Sequence, residues 1–197
     1  LAISTGAGNK AFSAGNELKY QAAGGTRERP ESGFGGLTQR FNLAKPVIAA
    51  VNGFAMGGGF EIALACDLIV ASDNAIFALP EPRVGLAALA GGLHRLPRII
   101  PQKQALGMIL SGRRVTAQEG KELGFVNEVT SQADLMPVSK RWAGMILECS
   151  PMSVRASKQA VYQGLDKSTL EDAINSDYPA VEALYKSADF IEGPKAF

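Results

Sequence analysis

The segment from Pro46 to Cys66 constrains the fold of this chain more than any other part of its sequence. A continuous apolar run, Pro46–Val51, ends in an Asn-Gly pair, and three consecutive glycines, Gly57–Gly59, precede a second apolar stretch, Phe60–Cys66. An apolar run of this length predicts a strand that is buried on both faces, as in parallel sheets. A buried strand, a glycine-rich turn and a buried helix together predict an α/β fold.

The rest of the chain continues the alternation of strands and helices, and helices dominate after Pro101. Residues 22–33 are rich in Gly, Pro and charge and predict a mobile surface loop. The remaining apolar patterns predict strands at Asp67–Ala71, Ala75–Leu79 and Phe125–Val129. The helical pattern and the turn residues predict helices at Leu37–Leu43, from Pro101 to Gly112, from the cap Thr116 to Gly124, and over about 135–149, 151–164 and 168–187. Thr116 and Glu119 form a capping box at the start of the helix that Gly124 ends. We therefore expect an α/β core over residues 1–130 and a helical region over 131–197.

Composition and charge exclude several classes of protein. The 197 residues suit one domain, or one domain with a small helical appendage, and 20 basic against 19 acidic residues give a net charge of +1. This balance provides no global field for nucleic acid or an anionic membrane, and no apolar run reaches the ~18–20 residues that span a bilayer. We expect Cys66 and Cys149 to be buried and reduced, which favours the cytoplasm and leaves the mitochondrial matrix open. Because Leu1–Ser4 resembles the tail of a buried strand, we expect the chain to begin within a domain.

Two glycine-containing turns are candidates for binding an anion. A helix that begins at Gly57–Gly59 would present backbone N–H groups without internal acceptors, and such groups bind phosphate or stabilise a developing oxyanion. The segment Lys10–Lys19 also passes from a strand through a small-residue turn, where Asn16 or its neighbour could present a second N–H. The alternatives are that the glycines only allow close packing and that the second turn is a simple capped turn.

Two glutamates are candidates for acid–base chemistry. Glu61 lies in the first turn of the apolar helix, and its apolar neighbours favour burial. Glu81 lies between two prolines after a strand, and the local sequence alone favours an exposed carboxylate. If both faced one pocket, at least one pKa would rise, as acid–base catalysis requires. A serine hydrolase is excluded, because His94 is the only histidine and no Gly-x-Ser-x-Gly occurs, and no residues have metal-ligand spacing.

The motifs of the whole chain resemble the enoyl-CoA hydratase/isomerase (crotonase) family. The Asn-Gly-x-Ala-x-Gly-Gly-Gly run is the most specific of them. The matching stretches are Ala11–Lys19, Lys45–Glu61, Phe77–Glu81, Gly91–Leu96, Ser111–Glu119 and Gly124–Val129. Because both glutamate positions are filled, the chain is similar to the hydratase and carnitinyl-CoA dehydratase branches in particular. The family pattern has further strands before this segment and a basic tail after it, so we expect both ends to be missing.

The resemblance implies a fold, an activity and site residues. The fold would be a crotonase-like β-β-α spiral with a helical C-terminal trimerisation region. The activity would be addition or removal of water across the α,β double bond of an acyl-CoA thioester. The backbone N–H groups of Asn16 and Gly58 would hold the thioester oxygen. Glu61 would chiefly activate the water, and Glu81 would chiefly deliver or remove the α-proton.

The resemblance also implies how the substrate binds and how the chain assembles. The expected substrate and CoA contacts are Ala14, Asn16, Glu17, Leu18, Lys19, Gly57 and Leu89. Lys19 is a candidate phosphate contact, and Leu89 stands in a segment where hydratases often carry a Pro-Gly pair, which changes the expected acyl-chain preference. We expect a homotrimer or homohexamer and no cofactor beyond the CoA of the substrate. The alternatives are another reaction on this scaffold, namely isomerisation, decarboxylation or thioester hydrolysis, and a non-catalytic RNA-binding or partner-binding role.

Overall fold

The computed structural model describes residues 1–25 and 30–196. The part of the expected surface loop from Thr26 to Arg29 lies outside the described residues, so the mobility of that loop stays a prediction. The strands are β1 Ala2–Thr5, β2 Ala11–Ser13, β3 Val47–Val51, β4 Phe54–Met56, β5 Leu68–Ser72, β6 Ile76–Ala78, β7 Val115–Thr116 and β8 Glu128–Thr130. The helices are α1 Leu18–Ala22, α2 Gly58–Ala65, α3 Gly92–Ile99, α4 Gln102–Ser111, α5 Ala117–Leu123, α6 Leu135–Leu147, α7 Pro151–Leu165, α8 Leu170–Asn175, α9 Pro179–Tyr185 and α10 Ala188–Ala196. Short 3-10 helices cover Phe34–Gly36 and Glu81–Val84.

The strands form two sheets with the orders β1-β3-β5-β8 and β2-β4-β6-β7. β5 pairs in parallel with both β3 and β8, and β4 pairs in parallel with both β2 and β6, whereas β7 is antiparallel to β6. All five residues of β3 are buried, which confirms the prediction of a strand covered on both faces. The α/β pattern of the sequence is therefore the pattern of the structure.

In the core, aromatic side chains pack α2 against β6, the strand that leads to Glu81. The rings of Phe60 and Phe77 lie 5.2 Å apart between centroids, and the ring of Phe125 lies 5.1 Å from that of Phe60. Tilted ring pairs of this kind help to fix the relative position of the elements that carry them, beyond the gain from burial alone. Because Phe60 adjoins Glu61, this packing also fixes the position of the Glu61 backbone.

The predicted helix at Leu37–Leu43 is wrong. The chain instead forms the 3-10 helix at Phe34–Gly36 and then a turn, in which the N–H groups of Leu37 and Thr38 both donate to the Phe34 carbonyl. Gly35 and Gly36 have φ values of 61° and 69°, and this left-handed backbone cannot lead into a right-handed helix.

The predicted helix over 168–187 is also wrong, because Pro179 divides it. α8 ends at Asn175, and α9 begins at Pro179 after Tyr178, which has the extended φ of −115° and ψ of 108°. A proline has no N–H for the helical ladder and disfavours helical backbone in the preceding residue.

Two further predictions differ from the structure. In place of the predicted strand Phe125–Val129 there is a shorter strand at Glu128–Thr130. Cys149, just after α6, is exposed rather than buried.

The other predicted helices and strands are confirmed with small shifts of their ends. The hydroxyl of Thr116 accepts a hydrogen bond from the N–H of Glu119 as the capping residue of α5, and Gly124 ends that helix in the left-handed conformation. Gly112 ends α4 in the same way. The turn and cap residues therefore mark these boundaries correctly.

The chain separates into two compact units. The larger unit contains residues 3–41 and 47–140, and the smaller contains residues 1–2, 42–46 and the chain from Arg141 onward. The expected division of domains at residue 130 stays a prediction. Among the helices of the described residues, none has the length and apolar character needed to cross a membrane.

Candidate active site

Three neighbouring parallel strands end at the same edge of one sheet, and each carries a predicted site residue just beyond its end. β2 leads to Asn16, β4 leads to Gly58, and β6 leads to Glu81. The pairing of Ser13 with Ala55 and of Met56 with Ala78 aligns these strand ends. Ligand sites of α/β proteins form where the carboxyl ends of parallel strands meet, and the sheet order therefore brings the three positions together.

The glycines before α2 allow close approach of other groups to the start of this helix. Gly57 has a φ of 53°, and a Cβ at this position would lie 2.8 Å from Glu81 Oε1. A Cβ at Gly58 would clash with the ring of Phe34, and one at Gly59 would clash with the carbonyl of Ser13. Gly58 is the first residue of α2, so its N–H has no acceptor within the helix. The glycines therefore permit close packing and also present a backbone N–H donor, so the two roles considered for them from the sequence are compatible.

The turn at Asn16 lies directly against the start of α2. Gly15, which has a φ of 86°, would place a Cβ 2.8 Å from the Met56 carbonyl and 3.1 Å from the Gly58 nitrogen. Both Asn16 and Gly58 line the same cavity. The two backbone segments that the sequence predicted as an oxyanion hole are thus adjacent.

Glu61 is buried inside the larger unit, as its apolar neighbours predicted. Its side chain is only 3% exposed, and its Oε1 accepts a hydrogen bond of 2.9 Å from the N–H of Gly92, the first residue of α3. Burial raises the pKa of Glu61, the Gly92 bond lowers it, the Glu81 charge raises it, and the Ala90 backbone and the Arg95 charge lower it, with a net increase. A helix start and a cation therefore partly offset the cost of ionising a buried carboxyl.

Glu81 lies at the start of the 3-10 helix and is half-buried. No group among the described residues hydrogen-bonds its Oε2, although this atom is buried. Burial raises the pKa of Glu81, and a hydrogen bond from its own backbone lowers it less. The exposed position that the local sequence favoured is wrong, because the side chain turns towards Gly57. A buried carboxyl oxygen without a partner is suited to bind a water molecule or a substrate group.

Both carboxyls line one cavity of about 390 Å³ in the larger unit. Its volume falls within the range of sites that bind small organic ligands. The predicted site residues on its lining are Ala14, Asn16, Leu18, Gly57, Gly58, Glu61, Glu81 and Leu89. Glu17 and Lys19 are exposed and lie outside this lining, and the Lys19 N–H donates to Glu17 Oε1 at 3.0 Å.

Some residues of this site were not singled out from the sequence. Gly92 holds Glu61, Phe34 covers Gly58, and Thr38 forms part of the cavity wall with a buried hydroxyl. The pair Gly91-Gly92 at the start of α3 is a third glycine turn of the kind at Gly57, and this pattern in the sequence indicates a candidate site residue. Phe34 and Thr38 follow the loop at residues 22–33 and have no local signature.

Replacement of Glu61 by Gln is expected to raise the free energy of unfolding at neutral pH. The raised pKa means that the folded protein holds the Glu61 proton more tightly than the unfolded chain does. Wild-type stability therefore falls as the pH rises from the ordinary value of 4.5 through the raised pKa, and the neutral amide does not suffer this loss. Denaturant unfolding at several pH values measures the difference, with exposed Glu148→Gln as the control. An advantage of E61Q that did not grow with pH would contradict the burial cost.

Comparison with known proteins assigns the chain to a family. Residues 2–197 match the family model described as enoyl-CoA hydratase/isomerase. Carnitinyl-CoA dehydratase of Escherichia coli (strain K12) is 46% identical over 209 residues, which cover 100% of this chain and 77% of that protein. The chain belongs to the enoyl-CoA hydratase/isomerase family, and its α/β architecture is the crotonase fold.

Solved structures agree with this assignment. The crystal structure of enoyl-CoA hydratase from Mycobacterium tuberculosis H37Rv matches with a TM-score of 0.90 and 35% sequence identity. The match covers 99% of this chain and 76% of the chain of that structure. The structure of a carnitinyl-CoA dehydratase from Mycobacterium avium 104 has a TM-score of 0.79 at 38% identity, with 98% and 77% covered. Both proteins carry names of the hydratase and dehydratase type that the filled glutamate positions indicated.

Proposed function

We propose that this chain is a hydro-lyase that adds water to, or removes it from, the α,β double bond of an acyl-CoA thioester. The observation that carries the proposal is the meeting of two carboxyls, Glu61 and Glu81, in one cavity beside the start of α2 at Gly58. Water must lose a proton while the α-carbon gains one, and a pair of carboxyls can serve both ends of the reaction. The dehydratase and hydratase relatives support the same class of reaction.

The backbone at Asn16 and Gly58 stabilises the charge that develops on the thioester oxygen. Attack of water at the β-carbon moves electrons through the double bond onto this oxygen and gives it enolate character. Aimed N–H donors in a site that excludes water are worth roughly 3–4 kcal/mol each when charge develops. The adjacency of the Gly15–Asn16 turn to the Gly58 nitrogen supports this role.

Glu61 and Glu81 take different parts because their surroundings differ. Burial raises the pKa of Glu61, but the Gly92 hydrogen bond and the charge of Arg95 offset part of this rise and keep its carboxylate form accessible. It therefore takes a proton from the water, and the hydroxyl bonds to the β-carbon. Glu81 has no comparable donor among the described residues, and its buried carboxyl favours the protonated form. It delivers the α-proton to the same face, and the reverse steps remove water.

The cavity has apolar walls that suit the acyl group, and exposed charged residues beside it suit the CoA moiety. Ala14, Leu18 and Leu89 supply apolar walls, and Leu89 is 57% exposed at the cavity, where it limits the acyl group. Glu17 and Lys19 are exposed at the start of α1, where Lys19 meets a phosphate of CoA. The reaction uses only groups of the chain and the substrate, and it needs no further cofactor.

The proposal extends to the oligomeric state and to the cellular compartment of the protein. The C-terminal helices expose large apolar side chains, and we place a homotrimer or homohexamer interface on them. These side chains are Leu147, Val161, Leu165, Leu170 and Ile174. The reduced form of Cys149, which is exposed, suits the cytoplasm or the mitochondrial matrix.

The test is loss of the conjugated enoyl-thioester absorbance when the purified protein meets trans-2-enoyl-CoA substrates of several chain lengths. We expect turnover, a 3-hydroxyacyl-CoA product and a preference for short acyl groups because of Leu89. Migration of the double bond without uptake of water would replace the hydro-lyase proposal with an isomerase. Binding of CoA thioesters without any conversion would replace it with a non-catalytic role.

A further inference from the structure

Arg95 lies in the first turn of α3, the helix whose first N–H donates a hydrogen bond to the Glu61 carboxyl. The N–H of Gly92 at the start of α3 donates to Glu61 Oε1, and the N–H of Arg95 donates to the Gly91 carbonyl at 2.8 Å. A Cβ at Gly91 would clash with Arg95 Nη1, so the guanidinium packs against this glycine. Arg95 therefore belongs to the same short segment that orients the Glu61 carboxylate.

The guanidinium also reaches across to the wall of the cavity. Arg95 Nη2 donates a hydrogen bond of 2.8 Å to the Thr38 carbonyl, and Thr38 is 1% exposed in the wall. The Arg95 guanidinium carbon lies 5.8 Å from the centroid of the Phe41 ring. The segment from Gly33 to Phe41 has little regular structure of its own, so contacts of this kind fix its position.

We propose that Arg95 is a positioning residue, which joins the cavity wall at Thr38 to the helix start that orients Glu61 and keeps positive charge beside this carboxylate. The proposal rests on the function assigned to Glu61 above. Arg is suited to this role because its planar group forms several hydrogen bonds in fixed directions and keeps its charge, whereas Lys keeps only the charge.

The charges around Glu61 show why Arg95 matters for its protonation. Burial raises the pKa of Glu61, Glu81 adds to the increase, and Arg95 acts against it. The remaining charged or titratable side chains on the packed elements point elsewhere: Arg98 bonds the His94 carbonyl, His94 is exposed, and Arg83 bonds the Ser111 carbonyl. Within α2, α3, β2, β4 and the two 3-10 helices, Arg95 is the cation that lowers the pKa of Glu61.

The test compares Arg95→Met and Arg95→Lys with Arg98→Met, an exposed control on the same helix. The first readout is the titration of the Glu61 carboxyl by carbon-13 NMR in the Glu81→Gln background, which removes coupling between the two glutamates. Loss of the signal in Glu61→Gln assigns it. The second readout is the Kd for a saturated acyl-CoA, which does not require turnover.

We expect R95M to move the Glu61 titration to higher pH and R95K to leave it near the wild-type position. Both variants should weaken acyl-CoA binding about tenfold, because a charged hydrogen bond to the wall is lost. R98M should change neither readout. If R95M does not fold, weak binding with a wild-type titration in R95K still supports the proposal, and wild-type binding by R95K overturns it.

A Glu61 titration at the wild-type pH in folded R95M would also overturn the proposal. The two proposals fail separately. Absence of turnover by the wild-type protein would contradict the hydro-lyase function, while the NMR titration and the Kd would still decide the role of Arg95.

Discussion

Replacement of Glu61 by Gln is expected to lower kcat for hydration of an enoyl-CoA by roughly 10²–10⁴-fold. The amide has nearly the same shape and can still accept the Gly92 hydrogen bond, but it cannot take a proton from water. The fold and the affinity for a CoA thioester should therefore persist while the chemical step fails. Steady-state kinetics on a trans-2-enoyl-CoA, together with the Kd for a saturated acyl-CoA, separate the two effects.

The matched control is Glu148→Gln, which removes an exposed carboxylate at the end of α6 and should leave kcat unchanged. The same E61Q protein should be more stable than wild type at neutral pH, because it no longer carries a carboxyl whose ionisation is opposed by burial. A large loss of kcat with a gain in stability is the pattern of an active-site residue. A loss of both would show that Glu61 supports the fold instead.

Replacement of Gly59 by Ala is expected to lower the free energy of unfolding by about 1–3 kcal/mol or more. The added Cβ would meet the backbone carbonyl and the Cβ of Ser13, and these atoms belong to β2 rather than to a flexible side chain. α2 and β2 would have to separate, and the turns at Asn16 and Gly58 would separate with them. Activity should therefore fall together with stability, as measured by denaturant unfolding and enoyl-CoA turnover.

Gly107→Ala is the control for this prediction. Gly107 lies within α4, and nothing among the described residues comes within 4 Å of the position that its Cβ would take. Alanine lowers the entropy of the unfolded chain and favours the helix, so a gain of about 0.4–1 kcal/mol is expected. Equal destabilisation by the two substitutions would mean that close approach of backbone at Gly59 is not the reason for its glycine.

The features that the sequence predicted well depend on local pattern. The apolar run that became β3 needs only its own residues to indicate burial, and the apolar neighbours of Glu61 placed its carboxyl inside. The caps at Thr116 and Gly124 act on backbone groups within a few residues. These features depend on interactions within a few residues, so the sequence alone indicates them.

The contacts that tune the site depend on residues far apart in the chain. Glu61 and Gly92 are separated by 31 residues, and Arg95 and Thr38 by 57, so no local pattern indicates their hydrogen bonds. Glu81 shows the same limit, because its Pro-Glu-Pro setting favours exposure, whereas the glycine at position 57, distant in the chain, leaves space for its carboxyl.

For the two wrong helix predictions, the sequence contained residues that oppose a helix. The apolar residues between Leu37 and Leu43 suggested a helix, but Gly35 and Gly36 adopt left-handed backbone that prevents one from starting there. Pro179 carried a clear signal to break the helix predicted over 168–187, and the periodicity on both sides hid it.

Glu61 and Glu81 are proposed to act together in one acid–base reaction, Glu61 on the water and Glu81 on the α-carbon. The most direct measurement is enoyl-CoA turnover by wild type, E61Q, E81Q and the double variant under identical conditions. Groups that act as a unit are not additive, so we predict that the double variant is about as slow as the slower single variant. Losses that multiply in the double variant, or wild-type turnover by either single variant, would contradict the account.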